Sequence, residues 1–215
     1  MIFANCAEAL AFDAHRSRAY KAPVATDPIQ RFRRWYAEAR KAGVSLPEAM
    51  ALATADRRGR PSVRFVLLKG VEDDGFVFFT NFESRKGREL EENPWASLAW
   101  YWDVTGKQVR VEGKVTEVSA ADADAYWLER PLESRFASTA SDQSRPVETR
   151  AELLAKYREL EKDFPDGDVP RPRRWSGLCV VPESIEFWTR AEPRLHRREL
   201  FTRSKDGWKS KILQP

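Results

Sequence analysis

The feature that most constrains this chain is that its strand-like stretches follow one another directly. MALATAD, SVRFVLLK, GFVFFTNF, WASLAWYW and KQVRVEGKVTEV are short apolar or alternating runs, and the turn-like RRGRP and EDDG separate the first three. Such runs read as β-strands joined in hairpins. The pattern resumes in LCVVPESIEFW, RRELFTR and GWKSKILQ, with SKDG as a hairpin signal between the last two. A parallel sheet needs a long crossover, usually a helix, between successive strands, so a βαβαβ fold is disfavoured. No G-x-G-x-x-G opens a helix after a strand, so a Rossmann nucleotide site is not expected. The expectation is a mainly β chain with peripheral helices, roughly six or seven strands in a closed or nearly closed antiparallel barrel.

Helices are marked by their caps. Asp27-Pro28 reads as N-cap and first helical position; Ile29, Phe32, Tyr36 and Ala39 follow at helical spacing, and Gly43 ends the run. Arg31, Arg33, Arg34 and Arg40 are expected mostly in solvent. Ser84 caps the short helix RKGRELEEN, which Pro94 ends, and Ser119 caps AADADAYWLER, which Pro131 ends. In ETRAELLAKYRELEKDF, an apolar stripe is expected from Leu153, Leu154, Tyr157, Leu160 and Phe164. Residues 1–26 lack periodicity and read as a flexible segment ahead of a single domain, residues 27–215.

Composition excludes several classes. No run approaches the 18 or so apolar residues of a membrane span, and Glu8 and Asp13 interrupt the apolar start, against a signal peptide. Cys6 and Cys179 are far apart, so neither a disulfide framework nor a zinc site is expected, and a reducing cytoplasm fits. The two histidines, His15 and His196, give no basis for a metal centre. The net charge of +4 comes from interspersed acids and bases. That excess suits a small phosphorylated ligand; no nucleic-acid motif is visible.

Four clusters carry possible chemistry. In Arg64-Phe65-Val66-Leu67-Leu68-Lys69 the two cations bracket an apolar strand and point to opposite faces, so they either reach different parts of one ligand or are ordinary strand-end charges. Thr80-Asn81 followed by Ser84-Arg85-Lys86 sets two cations at a capped helix start. Cations there oppose the helix dipole, so either an anion offsets them or they are simply solvated. Tyr126 and Arg130 share a helix face, and Ser134 returns towards it after Pro131; a phenol, a guanidinium and a hydroxyl suit a phosphate monoester, or are plain surface residues. In Arg194-Leu195-His196-Arg197-Arg198, an extended backbone would put Arg194, His196 and Arg198 in one row. Such a row seeks an anion or π system to share, or deters edge pairing.

Taken in order, these clusters resemble the pyridoxine/pyridoxamine 5′-phosphate oxidase family. The matching stretches are DPIQRF, RFVLLK, FTNFESRKGREL, KQVRVEG, AYWLERPLES, SDQS, IEFW and RLHRR, ending in GWKSKILQP. The resemblance implies a split antiparallel β-barrel flavoprotein, a homodimer with FMN between subunits. It implies that Arg64 to Lys69, Phe79, Thr80, Arg85, Lys86, Gln108, Gln143, Ser144, Trp188 and Arg198 hold FMN. Lys69, Tyr126, Arg130 and Ser134 would hold the substrate's 5′-phosphate, with Arg194 and His196 over its pyridine ring as the catalytic pair. The implied reaction is hydride transfer from C4′ of pyridoxamine or pyridoxine 5′-phosphate to the flavin N5, with O2 reduced to H2O2. The chain departs from the family pattern at Lys107, where Arg is usual, at Arg197, where an acid is frequent, in the DVTG loop, and around Arg18 and Tyr20. ENPWAS, the neighbouring YW and the LQP ending also resemble a flavin oxidase branch of phenazine biosynthesis, whose tricyclic substrate carries no phosphate. A non-catalytic flavin- or haem-binding split barrel, or a deazaflavin-dependent reductase, is the remaining alternative.

Overall fold

The computed structural model describes residues 27–215; the expected flexible segment, with Cys6, His15, Arg18 and Tyr20, lies outside the described residues. The described chain runs α1 (Pro28–Lys41), β1 (Ala49–Ala55), β2 (Pro61–Leu67), β3 (Gly70–Val71), β4 (Phe76–Asn81), α2 (Arg85–Glu92), β5 (Trp95–Trp102), β6 (Lys107–Glu117), α3 (Ala120–Glu129), α4 (Leu132–Ala140), α5 (Arg150–Asp163), β7 (Trp175–Thr189), β8 (Arg197–Ser204) and β9 (Gly207–Leu213).

All strand pairs are antiparallel, in the order β2-β1-β5-β6-β7-β4-β3, and the sheet curls into a half-barrel. It divides at β7, whose first half pairs β4 and whose second half pairs β8, while β6 runs along both. A bulge between Glu112 and Gly113 bends β6 there. The bend requires glycine: a Cβ on Gly113 would lie 2.0 Å from the Val181 carbonyl oxygen.

The predicted caps form. Asp27 accepts the Ile29 N–H, Ser84 that of Gly87, and Ser119 that of Asp122. α1 buries Ile29, Phe32, Trp35 and Ala39 against the sheet. Phe32 meets Phe76 and Trp100 edge-on, each at 4.8 Å between centroids, and burial of such a ring is worth about 1.5–3 kcal/mol. Arg31 departs from its solvated expectation. It lies over Phe187 at 4.3 Å and pairs with Glu199 at 2.6 Å, its aliphatic stem covering the core edge. Lys107 likewise turns to α1, onto the Trp35 ring and the Glu38 carboxylate.

Three other expectations are corrected. WASLAWYW, apolar enough to read as a buried strand, is buried on one face only, with Trp95 and Tyr101 exposed. Leu154 is exposed, so the α5 stripe runs through Tyr157, Leu160 and Phe164, which pack beneath Trp127 and Trp175. An additional helix, α4, occupies LESRFASTA, where its N-cap Pro131 provides no side-chain hydrogen bond. No described helix is long and apolar enough to cross a membrane.

Candidate functional site

A cleft of about 710 Å³ opens where β2, β4, α3, α4 and the start of β7 meet. Lys69, Tyr126, Arg130 and Ser134 all line it, with Phe65, Val66, Leu67, Phe79, Thr80, Lys86 and Gln143. Three of the four predicted clusters thus contribute to one cavity. No carboxylate is among its lining residues. Two of its buried polar atoms, Thr80 Oγ1 and Arg130 Nη1, have no hydrogen-bond partner among the described residues. A buried donor without a partner costs about 1–3 kcal/mol, so three cations and two unsatisfied polar atoms suit phosphate-bearing ligands.

The floor is aromatic. Phe79 stacks on Tyr126 at 4.0 Å and on Trp175 at 5.2 Å, and the Lys69 ammonium sits 6.0 Å from the Tyr126 centroid. Arg130 is the C-cap of α3 and already extended (φ −71°, ψ 143°), rather than the last helical residue expected, yet its side chain still reaches the cleft beside Tyr126. Burial, with the neighbouring Arg135 charge adding to it and Tyr126 opposing, lowers its pKa.

The head of α2 supplies Lys86. A Cβ on Gly87 would lie 2.1 Å from the Phe82 carbonyl oxygen, so glycine permits the close seating of this turn. Lys86 Nζ donates to Gln143 Oε1 at 2.8 Å and to Ser84 Oγ at 3.2 Å. Burial, and then the Arg64 charge, bring its pKa down to about 8. Arg85 and Arg64 turn elsewhere. Both bind Glu89, a nearly buried carboxylate of α2 that also accepts from Thr54 Oγ1 at 2.5 Å and Ser62 Oγ at 2.6 Å. The anion offsetting Arg85 at this helix start is therefore a protein side chain. The sequence reading missed Glu89 because RELEE reads as a solvated acidic surface. Leu68 belongs to the core, and Ser144, just past Gln143, is exposed with φ 71°.

The other predicted residues stand near the far end of β7. Gln108 pairs with Trp188, and Trp188 with Arg198, in the sheet register. Arg198 forks onto Glu186 through Nε at 2.8 Å and Nη2 at 3.1 Å, and its Nη1 donates to the Gln214 carbonyl. The expected row of Arg194, His196 and Arg198 does not form. β8 begins only at Arg197, and Arg194 lies in a turn at φ 81°. His196 lies 4.6 Å from Trp188, its ring tilted at 46°, and its Nδ1 accepts the Ala191 N–H at 3.2 Å. That bond places the proton of a neutral ring on Nε2, which remains available to donate.

Residues 36–162 match the family described as pyridoxamine 5′-phosphate oxidase, and residues 175–215 match the pyridoxine 5′-phosphate oxidase C-terminal dimerisation region. A pyridoxine/pyridoxamine 5′-phosphate oxidase of Anaeromyxobacter dehalogenans is 52% identical over 191 residues, covering 89% of this chain and 96% of that one. That of Gluconobacter oxydans is 48% identical over 189 residues, covering 88% and 94%. Among solved structures, PhzG of Burkholderia lata, in complex with tetrahydrophenazine-1-carboxylic acid, superposes with a TM-score of 0.85 at 37% identity, over 91% of this chain and 98% of that one. A pyridoxamine 5′-phosphate oxidase-related, FMN-binding protein of Nostoc punctiforme superposes with a TM-score of 0.69 at 25% identity, over 90% and 100%.

Proposed function

The chain belongs to the pyridoxine/pyridoxamine 5′-phosphate oxidase family, and from that premise we propose that it oxidises pyridoxamine or pyridoxine 5′-phosphate to pyridoxal 5′-phosphate, with FMN as cofactor and O2 as acceptor. The observation that carries this reading is the convergence of Lys69, Tyr126, Arg130 and Ser134 on one cleft, with Arg130 Nη1 buried and unpartnered. A phosphate monoester supplies the anionic acceptor oxygens that this set lacks.

Bound FMN supplies a two-electron acceptor that passes the pair to O2, giving H2O2. The chain's own residues bind and orient. Lys69, Arg130, Tyr126 and Ser134 would grip the ester, and Phe65 to Leu67 with Phe79, Thr80, Lys86 and Gln143 would face the flavin. Arg85 joins that set at the head of α2. Arg194 and His196 bear on the pyridine ring and hold C4′ in line for hydride loss, an effect of proximity. An alcohol substrate yields the aldehyde once its hydroxyl proton leaves. An amine yields an imine, which water hydrolyses with release of ammonia.

Gln108, Trp188, Arg194, His196 and Arg198 reach a ligand in the cleft only from a second copy of the chain. Trp175 and Trp188 stand near the two ends of the 15-residue β7, which spans on the order of 50 Å when extended. The match of residues 175–215 to a dimerisation region supports a homodimer, and the proposal places FMN between its subunits. So does the exposed apolar face of β2, where Val63 and Phe65 are 67% and 77% accessible in the single chain.

The likeness to PhzG favours a second reading, oxidation of a reduced tricyclic acid. Such a substrate would leave part of the Lys69 and Arg130 donor set unpaired. An aerobic assay with pyridoxine 5′-phosphate, following aldehyde and peroxide together, tests the proposal. Stoichiometric formation of both is expected. A flavin-loaded protein that forms neither, while oxidising a tetrahydrophenazine carboxylic acid, would overturn it.

A further inference from the structure

Arg130 is aimed by neighbours that none of the motifs singled out. Its guanidinium packs against two indoles that meet each other edge-on, 5.1 Å from the Trp127 centroid and 4.6 Å from that of Trp175. Trp127 is itself fixed, donating its Nε1–H to the Val169 carbonyl at 2.8 Å. The two rings, at 66° to one another, seat the cation but leave the guanidinium free to turn. One polar contact removes that freedom: Nη2 donates to Ser138 Oγ at 2.9 Å. With Nη2 tied to α4, Nη1 is the nitrogen left buried without a partner.

We propose that Ser138 is a positioning residue for substrate recognition, fixing the rotation of Arg130 so that Nη1 meets the phosphate of the ester. The inference rests on the reading of Arg130 as a phosphate grip. Ser138 is one helical turn beyond Ser134 on α4, and both line the cleft. A hydroxyl accepts and donates at once, so Ser138 can take the Arg130 N–H and offer its own proton to the same phosphate. Alanine there leaves a second nitrogen of a buried cation unsatisfied and the guanidinium free to swing.

The test compares wild type, Ser138→Ala and Ser138→Thr as flavin-loaded full-length proteins, with pyridoxine 5′-phosphate and with unphosphorylated pyridoxine. Ser138→Ala is expected to raise KM for the phosphate ester about tenfold, the loss of one hydrogen bond to a charged group. kcat should stay within about twofold, and kcat/KM for pyridoxine should be unchanged, because the effect belongs to the ester alone. Ser138→Thr keeps the hydroxyl and restores most of the affinity. Titration with pyridoxal 5′-phosphate gives the same ranking without turnover. The inference is overturned if Ser138→Ala matches wild type on the ester, or if it weakens both substrates equally, as a purely structural role would. A wild type that oxidises phosphorylated and free pyridoxine with equal kcat/KM would instead overturn the reading of Arg130, and this inference with it.

Discussion

Glu89 accepts the Nε–H of Arg85 at 2.8 Å, one helical turn before it on α2, and its other oxygen holds Arg64 of β2 at 3.3 Å. Burial alone would push this carboxyl up. Hydrogen bonds from Ser62, Thr54 and Arg85 outweigh it and hold the group down at about 2. Arg64, Arg85 and Lys86 with one carboxylate leave two positive charges at the head of α2, the complement of a phosphate dianion.

Acid stability follows from that carboxylate. Its folded pKa is depressed, so the unfolded chain binds the proton more readily as pH falls. The stabilisation is present above about pH 4.5 and is lost as pH drops towards about 2. Glu89→Gln is expected to remove on the order of 2 kcal/mol at pH 7 and to flatten this part of the profile. Urea unfolding at several pH values measures both; equal slopes for the two proteins between pH 4.5 and 2.5 would contradict the assignment.

Flavin binding should report on Lys86. Its ammonium loses its proton near pH 8 in the free protein, while an anionic ligand needs it charged. FMN affinity is therefore expected to hold level below that pH and to fall above it, by up to about tenfold per pH unit. Lys86→Met should abolish the step and weaken binding at pH 7 by about tenfold or more. Quenching of flavin fluorescence from pH 6.5 to 9.5 follows this directly.

Glu186 anchors the far end of β7. Hydrogen bonds from Arg198, against burial and with help from the Arg110 charge, hold its carboxyl low. Glu186→Ala would leave Arg198 and Arg110 without their shared counter-charge on a nearly dry carboxylate site, a loss of about 2–4 kcal/mol. A shift of the denaturation midpoint at constant slope is the expected result.

Much of this fold can be read locally. Asp27-Pro28, Ser84 and Ser119 announce helices because a cap is a contact within three residues. SKDG announces the last hairpin for the same reason: β8 ends at Ser204 and β9 begins at Gly207, whose φ is 114°. α4 escapes notice because Pro131 offers no capping side chain and the helix hides behind a proline. Arg194 is misread because a left-handed residue interrupts what alternation suggests is a strand. The cleft cations are legible singly, but their partners are not. Glu89 meets Thr54 and Ser62, and Trp175 packs on Arg130, through contacts between distant parts of the chain. Only the curled sheet brings those together.

The division of the sheet at β7 has a genetic consequence. A single strand carries a cleft wall at one end and the Trp188 cluster at the other, and the proposed dimer would have each active site borrow from both copies. Two inactive proteins, one damaged at Lys86 and one at Arg198, should then rescue each other when unfolded and refolded together. Random pairing makes half the dimers mixed, each with one undamaged site of two, so about a quarter of normal activity should return. Chains that build their sites alone would show no such complementation.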